Sequence, residues 1–281
     1  MSVARHQNLS NDRQKHAPTG EALPPTAGSI RVAAVTHPGR VRVSNEDCVQ
    51  VDDWRSSATV DRIIVPNKPL GAGLFVCLVA DGLGGHAAGE VASRRAVESI
   101  FAARAALVGP QGIAEILHAV DADLRRHMHA DPALAGMGTT IAGLVLDANG
   151  ARWFNVGDSR VYRVRDDGSL EQVSVDDRIA PDLADALGLI PNTLTACLGG
   201  HTEPAGFRPH VGTVSPPKPS RWLLCSDGLT DAIDDDAIRA CIEQDDEISV
   251  ARLLDAALAA GGFDNVSIVL ATFDPSAGAP P

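Results

Sequence analysis

From Ile30 onward the chain alternates apolar and polar residues in short β-type runs, whereas the residues before it show no apolar period. Residues 30–36 and 48–51 are such runs, and 74–80 (LFVCLVA) is a continuous apolar stretch of the kind a strand buried on both faces shows. Two amphipathic helices are expected next. The first spans about 89–107, and the second places Ile113, Ile116, Leu117, Val120 and Leu124 on one face at the i, i+3, i+4, i+7 spacing. Strands follow at 139–146, 152–156, 161–164 and 171–175. Ala148-Asn149-Gly150 and Asp166-Asp167-Gly168 supply the φ > 0 positions that hairpin turns require, and short connections make these strands antiparallel neighbours. Residues 222–225 and 266–273 read as further strands, with helices at about 235–243 and 249–260 between them. In the last helix Val250, Leu253, Leu254, Ala257 and Leu258 share a face, Ser249 is the expected N-cap, and Gly261 the expected left-handed stop. Segments 54–70 and 179–209 show no obvious element.

Helices in pairs and strands in hairpin blocks argue against a doubly wound parallel sheet. The pattern predicts an α+β fold, a four-layer α/β/β/α sandwich of two antiparallel sheets flanked by helix pairs. Residues 1–29 are polar and contain Pro24-Pro25, so they read as a disordered leader, with a folded domain over 30–273 and a disordered tail at 274–281.

Composition narrows the partners. Of 281 residues, 24 are Lys or Arg and 36 Asp or Glu, giving a formal net charge of −12, which disfavours nucleic acid because phosphate backbones demand clustered positive charge. No run approaches the roughly 18 apolar residues of a membrane span. Five scattered cysteines, Cys48, Cys77, Cys197, Cys225 and Cys241, form no Cys-x-x-Cys pair, so neither a disulfide framework nor a thiolate metal site is expected. A cytoplasmic protein fits best.

The candidate chemistry is acidic. Asn45-Glu46-Asp47, Asp81-Gly82-Leu83-Gly84-Gly85-His86, Ser226-Asp227-Gly228 and Asp264-Asn265 each join a carboxylate to a turn residue. Any one of them alone is adequately explained as a turn dipeptide. Asp81 and Asp227, however, each follow a strongly apolar strand and Asp264 precedes one, so the carboxylates emerge at rigid strand ends. Acids gathered from distant segments repel one another unless a cation lies among them, and oxygen-only donors select Mg²⁺ or Mn²⁺ over Zn²⁺. The glycines after Asp81 match neither the G-x-G-x-x-G nor the P-loop spacing, so nucleotide binding is disfavoured.

In this acidic framework the sequence resembles the metal-dependent protein phosphatases, the type 2C serine/threonine (PPM) family, in its bacterial branch. The resemblance rests on ordered elements: Gly39-x-Val41-Arg42-x-x-Asn45-Glu46-Asp47, Ala80-Asp81-Gly82-Leu83-Gly84-Gly85-His86-Ala87-Ala88-Gly89-Glu90, Gly136-Met137-Gly138-Thr139-Thr140, Val156-Gly157-Asp158-Ser159-Arg160-x-Tyr162, Leu224-Cys225-Ser226-Asp227-Gly228-Leu229 and Asp264-Asn265-x-Ser267. It implies two Mn²⁺ or Mg²⁺ ions in a cleft at one edge of the sandwich. Asp81 would bridge both, the Gly82 carbonyl would bind one, and Asp227 and Asp264 would complete the other. Glu46 and Asp47 would act largely through waters, and Arg42 would hold the substrate phosphate. The implied reaction is hydrolysis of phosphoserine and phosphothreonine on proteins phosphorylated by a protein kinase. A non-catalytic phosphoprotein-binding module of the same fold and a small-molecule phosphoesterase are the alternatives.

Some positions depart from the family pattern. Leu83 stands where many eukaryotic relatives carry a histidine assigned as general acid; His37 and His86 are nearby candidates for that role, a metal-bound water would serve equally well, and no acid residue is assigned. Ala133 stands where bacterial relatives often carry an aspartate that helps bind a third metal, and Asp131 substitutes only if its loop shifts. The flap segment, 177–194, is short. Asp158 is expected to be a structural turn carboxylate paired with Arg160, His127 and His129 solvated, and Cys225 packed in the core.

Overall fold

The computed structural model describes residues 28–57, 60–70, 73–84, 87–188, 190, 193–202, 206–215 and 218–275. The expected leader up to residue 27, the expected tail from residue 276, and Gly85 and His86 lie outside them. In chain order the elements begin with β1 (Ser29–His37), β2 (Cys48–Val51), β3 (Trp54–Ser56), β4 (Asp61–Pro69), β5 (Phe75–Ala80) and the two-residue β6 (Gly82–Leu83). Helices α1 (Ala87–Ala102) and α2 (Pro110–Ala130) follow, then β7 (Gly138–Thr139), β8 (Ile141–Asp147), β9 (Gly150–Val156), β10 (Arg160–Val164) and β11 (Leu170–Gln172). The chain continues with α3 (Pro181–Leu187), β12 (Leu198–Gly199), β13 (His210–Val214), β14 (Ser220–Cys225), α4 (Asp227–Thr230), α5 (Asp235–Cys241), α6 (Asp246–Ala259) and β15 (Val266–Asp274).

Two six-stranded antiparallel sheets result, ordered β11-β10-β14-β15-β1-β4 and β13-β9-β8-β5-β2-β3. Strand β5 shows why its sequence is apolar throughout. Phe75, Cys77 and Val79 point between the sheets, whereas Val76, Leu78 and Ala80 point outward against α1 and α2. In β15, likewise, Val269, Ala271 and Phe273 face the inter-sheet core while Ile268 and Leu270 meet the layer of α5 and α6. Both sheets are therefore covered on both faces, which makes the four expected layers. Trp222, with none of its surface exposed, is among the largest side chains of the central layer.

A third, smaller ribbon, β12-β7-β6, is made of three two-residue strands. It joins the segment just after Asp81 to the loop after α2 and to the chain beyond the flap.

The structure changes several expectations. Segment 54–70 contains β3 and β4, one edge strand for each sheet, and Arg62, Pro66 and Lys68 give the β4 edge the charge and proline that discourage further pairing. Segment 179–209 contains α3 and β12, and Arg178 pairs with Leu194 across the base of the flap. Helix α6 begins earlier than expected: Asp245 caps it by accepting from the Ile248 N–H (2.9 Å), and Ser249 is buried inside the first turns. Its left-handed stop is Gly262 (φ +56°), with Gly261 at φ +130°.

Candidate functional site

A cleft of about 580 Å³ opens at one edge of the two sheets, and its wall includes Arg42, Glu46, Asp81, Gly82, Asp227 and Asp264. Six residues picked from four separate stretches of sequence thus meet at one place. Asp47 sits just behind the wall and is fully buried.

Each side chain is positioned by a local device. Asp81 directly follows β5, and its backbone is gripped by the Gly-Met-Gly-Thr-Thr segment. The Asp81 N–H donates to Thr140 Oγ1 (3.1 Å), and its carbonyl accepts from Thr139 Oγ1 (2.8 Å) and the Thr140 N–H (2.9 Å). Thr140 is tied in turn to Ser159, hydroxyl to hydroxyl, at 2.7 Å. Gly82 packs directly on Gly89: a Cβ at 82 would lie 2.2 Å from the Gly89 carbonyl oxygen, and one at 89 would lie 2.1 Å from Glu46 Oε2. Only glycine lets α1 approach closely enough to fix the Gly82 carbonyl and Glu46.

Asp227 opens α4, and Gly228 behind it abuts the Asn265 carbonyl, which a Cβ would meet at 1.9 Å. Asn265 is the tie between two loops. Its Nδ2 donates to the carbonyls of Pro38 (3.0 Å) and Ser44 (2.9 Å), and its Oδ1 accepts from the Glu46 N–H (2.8 Å). Asp264 accepts from the Asn265 N–H at 2.9 Å and from Arg42 Nη2 at 2.6 Å. That charged bond raises the Arg42 pKa.

The electrostatics of the wall are those of crowded acids. Burial pushes the Asp47 carboxyl up to about 7, with Asp227 and Asp264 adding repulsion, against the opposing pull of the Ser267 and Ser226 hydroxyls, the latter donating at 2.8 Å. Although the cleft leaves Asp81 partly accessible, the protein around it strips enough water to hold its pKa well above the ordinary aspartate value, and Asp47 and Asp227 reinforce the shift. Asp227 is raised too, again mainly by burial. Asp47 Oδ1 and Asp227 Oδ1 are buried with no hydrogen-bond partner. Buried carboxylate oxygens left unmatched among like charges are what a hard cation would satisfy. Among the described residues no three His, Cys, Asp or Glu side chains are drawn together closely enough to hold a metal ion by themselves. The donors named here are all oxygens, which argues against Zn²⁺.

Sequence reasoning mislaid two residues. Asp158 does not pair with Arg160, which instead forks onto Asp176 (2.7–3.0 Å) and reaches Tyr162 Oη (2.9 Å). Asp158 is buried, lines the same cleft, and is pushed up to about 7 by burial and by Asp227. Arg178 faces it at 4.0 Å and also meets Asp176 (3.3 Å) and Asp231 (2.9 Å), fastening the base of the flap to the wall that carries Asp227. Nothing local announces Arg178; Thr139 and Thr140 were visible as a motif but without a role. His37 is spent locally, its Nδ1 accepting from the Gly39 N–H (2.9 Å), and burial and Arg40 lower its pKa. Asp131 caps the turn after α2, accepting from the Ala133 N–H at 2.9 Å. His127 bonds the Asp123 carbonyl (2.9 Å), His129 is exposed, and Cys225 is fully buried with its thiol pushed up to about 12.

Comparison with known proteins gives a consistent picture. A sequence model of the family described as protein phosphatase 2C matches residues 70–256. The chain is 32% identical over 259 residues to the serine/threonine protein phosphatase PstP of Mycobacterium tuberculosis, covering 86% of this chain and 45% of that one, so it spans about half that relative's length. It is 28% identical over 264 residues to the protein phosphatase PhpP of Streptococcus pneumoniae, covering 87% of this chain and 98% of that one. Among solved structures, the catalytic domain of PstP in complex with two manganese ions superposes with a TM-score of 0.68 at 30% identity, covering 88% of this chain and 99% of that chain. A structure described as PppA, a key regulatory component of the T6SS in Pseudomonas aeruginosa, gives 0.68 at 29% identity over the same shares.

Proposed function

Because this chain belongs to the protein phosphatase 2C family, we propose that it is a metal-dependent phosphatase hydrolysing phosphoserine and phosphothreonine on proteins, with residues 30–273 as the catalytic unit. The observation that carries the proposal is the meeting of Glu46, Asp81, Asp227 and Asp264 with Arg42 at one cleft, beside buried carboxylate oxygens that lack partners.

Asp81, the Gly82 carbonyl, Asp227 and Asp264 would hold two Mn²⁺ or Mg²⁺ ions, with Glu46 and Asp47 acting through ordered waters. When bound, such ions supply a nucleophilic water at neutral pH and offset charge on the phosphoryl oxygens. Arg42 binds the phosphate: its planar guanidinium can make two parallel hydrogen bonds, and substrate oxygens compete with Asp264 for it. The same bonds stabilise the charge that builds as the leaving oxygen departs. Asp47 holds Ser226, and Ser226 Oγ in turn accepts from the Ser267 N–H (3.0 Å), so the turn that presents Asp227 is braced from inside. We assign no side chain to the leaving-group proton, since no histidine is among the described residues of the cleft wall. Substrates made by a protein kinase are inferred from the reaction alone, and action in the cytoplasm from the scattered cysteines of the sequence; among the described residues no helix is long and apolar enough to cross a membrane.

The test is hydrolysis of p-nitrophenyl phosphate and of a phosphothreonine peptide by purified protein with and without Mn²⁺. Metal-dependent turnover of both is expected. Absence of turnover with ample metal returns the protein to the binding-module alternative, and preference for sugar phosphates over the peptide to the small-molecule one.

A further inference from the structure

Three large apolar side chains stand in solvent beside the phosphate clamp. Val43 is 100% exposed, Phe263 70% and Val41 60%. A single exposed valine is ordinary, but these three are tied to one place. Val41 and Val43 flank Arg42 in sequence, Val43 lines the cleft, and Phe263 immediately precedes Asp264, the carboxylate that Arg42 grips.

The two loops that carry them are held as one body. The Arg40 N–H donates to the Gly262 carbonyl at 2.7 Å, and the Asn265 amide described above bonds the first loop at both Pro38 and Ser44. Gly39, at φ +77°, backs so closely on Asp264 that a Cβ would lie 2.2 Å from its carbonyl oxygen. The Phe263 ring lies against Gly261, where a Cβ would meet it at 2.3 Å. Loops whose backbones are tied in this way need little ordering on contact, so what their exposed apolar side chains gain by being covered is little offset by lost loop entropy.

We propose that Val41, Val43 and Phe263 form a specificity rim that favours phosphoproteins with apolar side chains next to the phosphorylated serine or threonine. The inference rests on the phosphatase function proposed above and names its substrate class. The occupant follows from continuity with the clamp. A phosphate seated on Arg42 brings the residues next to it onto the segment 41–43 and toward Phe263. Acidic neighbours fit poorly, because Asp158, Asp227, Asp231 and Asp264 lie along the same edge.

The experiment compares three phosphothreonine peptides of equal length, with Leu, Ser or Glu on both sides of the phosphothreonine, and p-nitrophenyl phosphate, which has no flanks. Wild type, Val43→Ser, Phe263→Ser and the double variant are assayed with Mn²⁺. The wild-type kcat/KM is expected to be about tenfold higher for the Leu than for the Ser peptide, carried by KM. The double variant is expected to erase that ratio while turnover of p-nitrophenyl phosphate stays within about twofold. Equal wild-type rates on the Leu and Ser peptides overturn the rim, as does a preference that survives the double substitution. A fall on p-nitrophenyl phosphate in step with the Leu peptide also overturns it, because the residues would then support the clamp and not selection. If wild type turns over none of the four compounds, the phosphatase function itself fails and takes the rim with it.

Discussion

The layer between the sheets and the cleft at their edge use the same strands to opposite ends. In the central layer β14 and β15 contribute Trp222, Leu224, Val269 and Phe273 to close-packed apolar contacts, and the Trp222 indole N–H still finds Ser220 Oγ at 3.0 Å. Just past the end of β14 and just before the start of β15, the chain presents Asp227 and Asp264 to the cleft that Asp81 also lines; the Asp81 and Asp227 carboxyls are pushed up by burial, and one Asp227 oxygen is unmatched. Packing is optimised in one region and charge is left unbalanced in the other. The second arrangement persists because the first is stiff enough to hold acids together that would otherwise separate.

Substitutions in the two regions should therefore fail differently. Trp222→Ala leaves a large cavity in the central layer and is expected to cost about 3–5 kcal/mol of stability, read as a drop in the denaturant midpoint together with loss of activity. Asp227→Asn should do the reverse. Mn²⁺-dependent turnover falls by roughly 10²–10³, while the melting temperature of the chelated protein stays level or rises, since one repelling charge is gone. A large loss of stability in this variant would show that Asp227 belongs structurally to the core. Arg42→Lys keeps a positive charge but not the paired geometry, so KM for a phosphopeptide should rise about tenfold with an unchanged melting curve.

A separate effect is in pH. Asp47 and Asp158 have folded values near 7 against an ordinary 3.8, so the folded state holds their protons more tightly than the unfolded chain does. The stability they contribute is complete below about pH 4 and is lost as pH rises through about 7. Chelated protein should melt progressively lower between about pH 4.5 and 7 and level off above that, and added Mn²⁺ should flatten the slope. A midpoint that is level or rises with pH in chelator would mean that these acids are not desolvated in solution.

How much of this was readable beforehand follows the same division. Strands buried on both faces declared themselves as continuous apolar runs, and the expected 48–51 strand coincides with β2. The edge strands did not: β3 and β4 carry Arg55, Arg62, Asn67 and Lys68, because an edge exposed to water has no apolar pattern to show. Ser249 looked like a cap, but the acidic run before it offered Asp245 first, and Ser249 instead went inside to bond the Glu243 N–H (2.8 Å). At the site, the acids of the cleft stood out because each sits at a strand end beside a glycine or asparagine. Arg178 did not, since its three carboxylate partners come from positions 158, 176 and 231 and meet only in three dimensions.

The three-stranded ribbon has a consequence for how such a protein can diversify. Because β12 hydrogen-bonds to β7, and β7 to β6, the chain leaving the flap is stitched through one intermediate strand to Gly82 itself. A loop graft that exchanged residues 178–197 with those of a relative would tug on the backbone that lines the acidic cleft. Recombination of that loop is thus free only in its outer turn, and donors must bring matching ends.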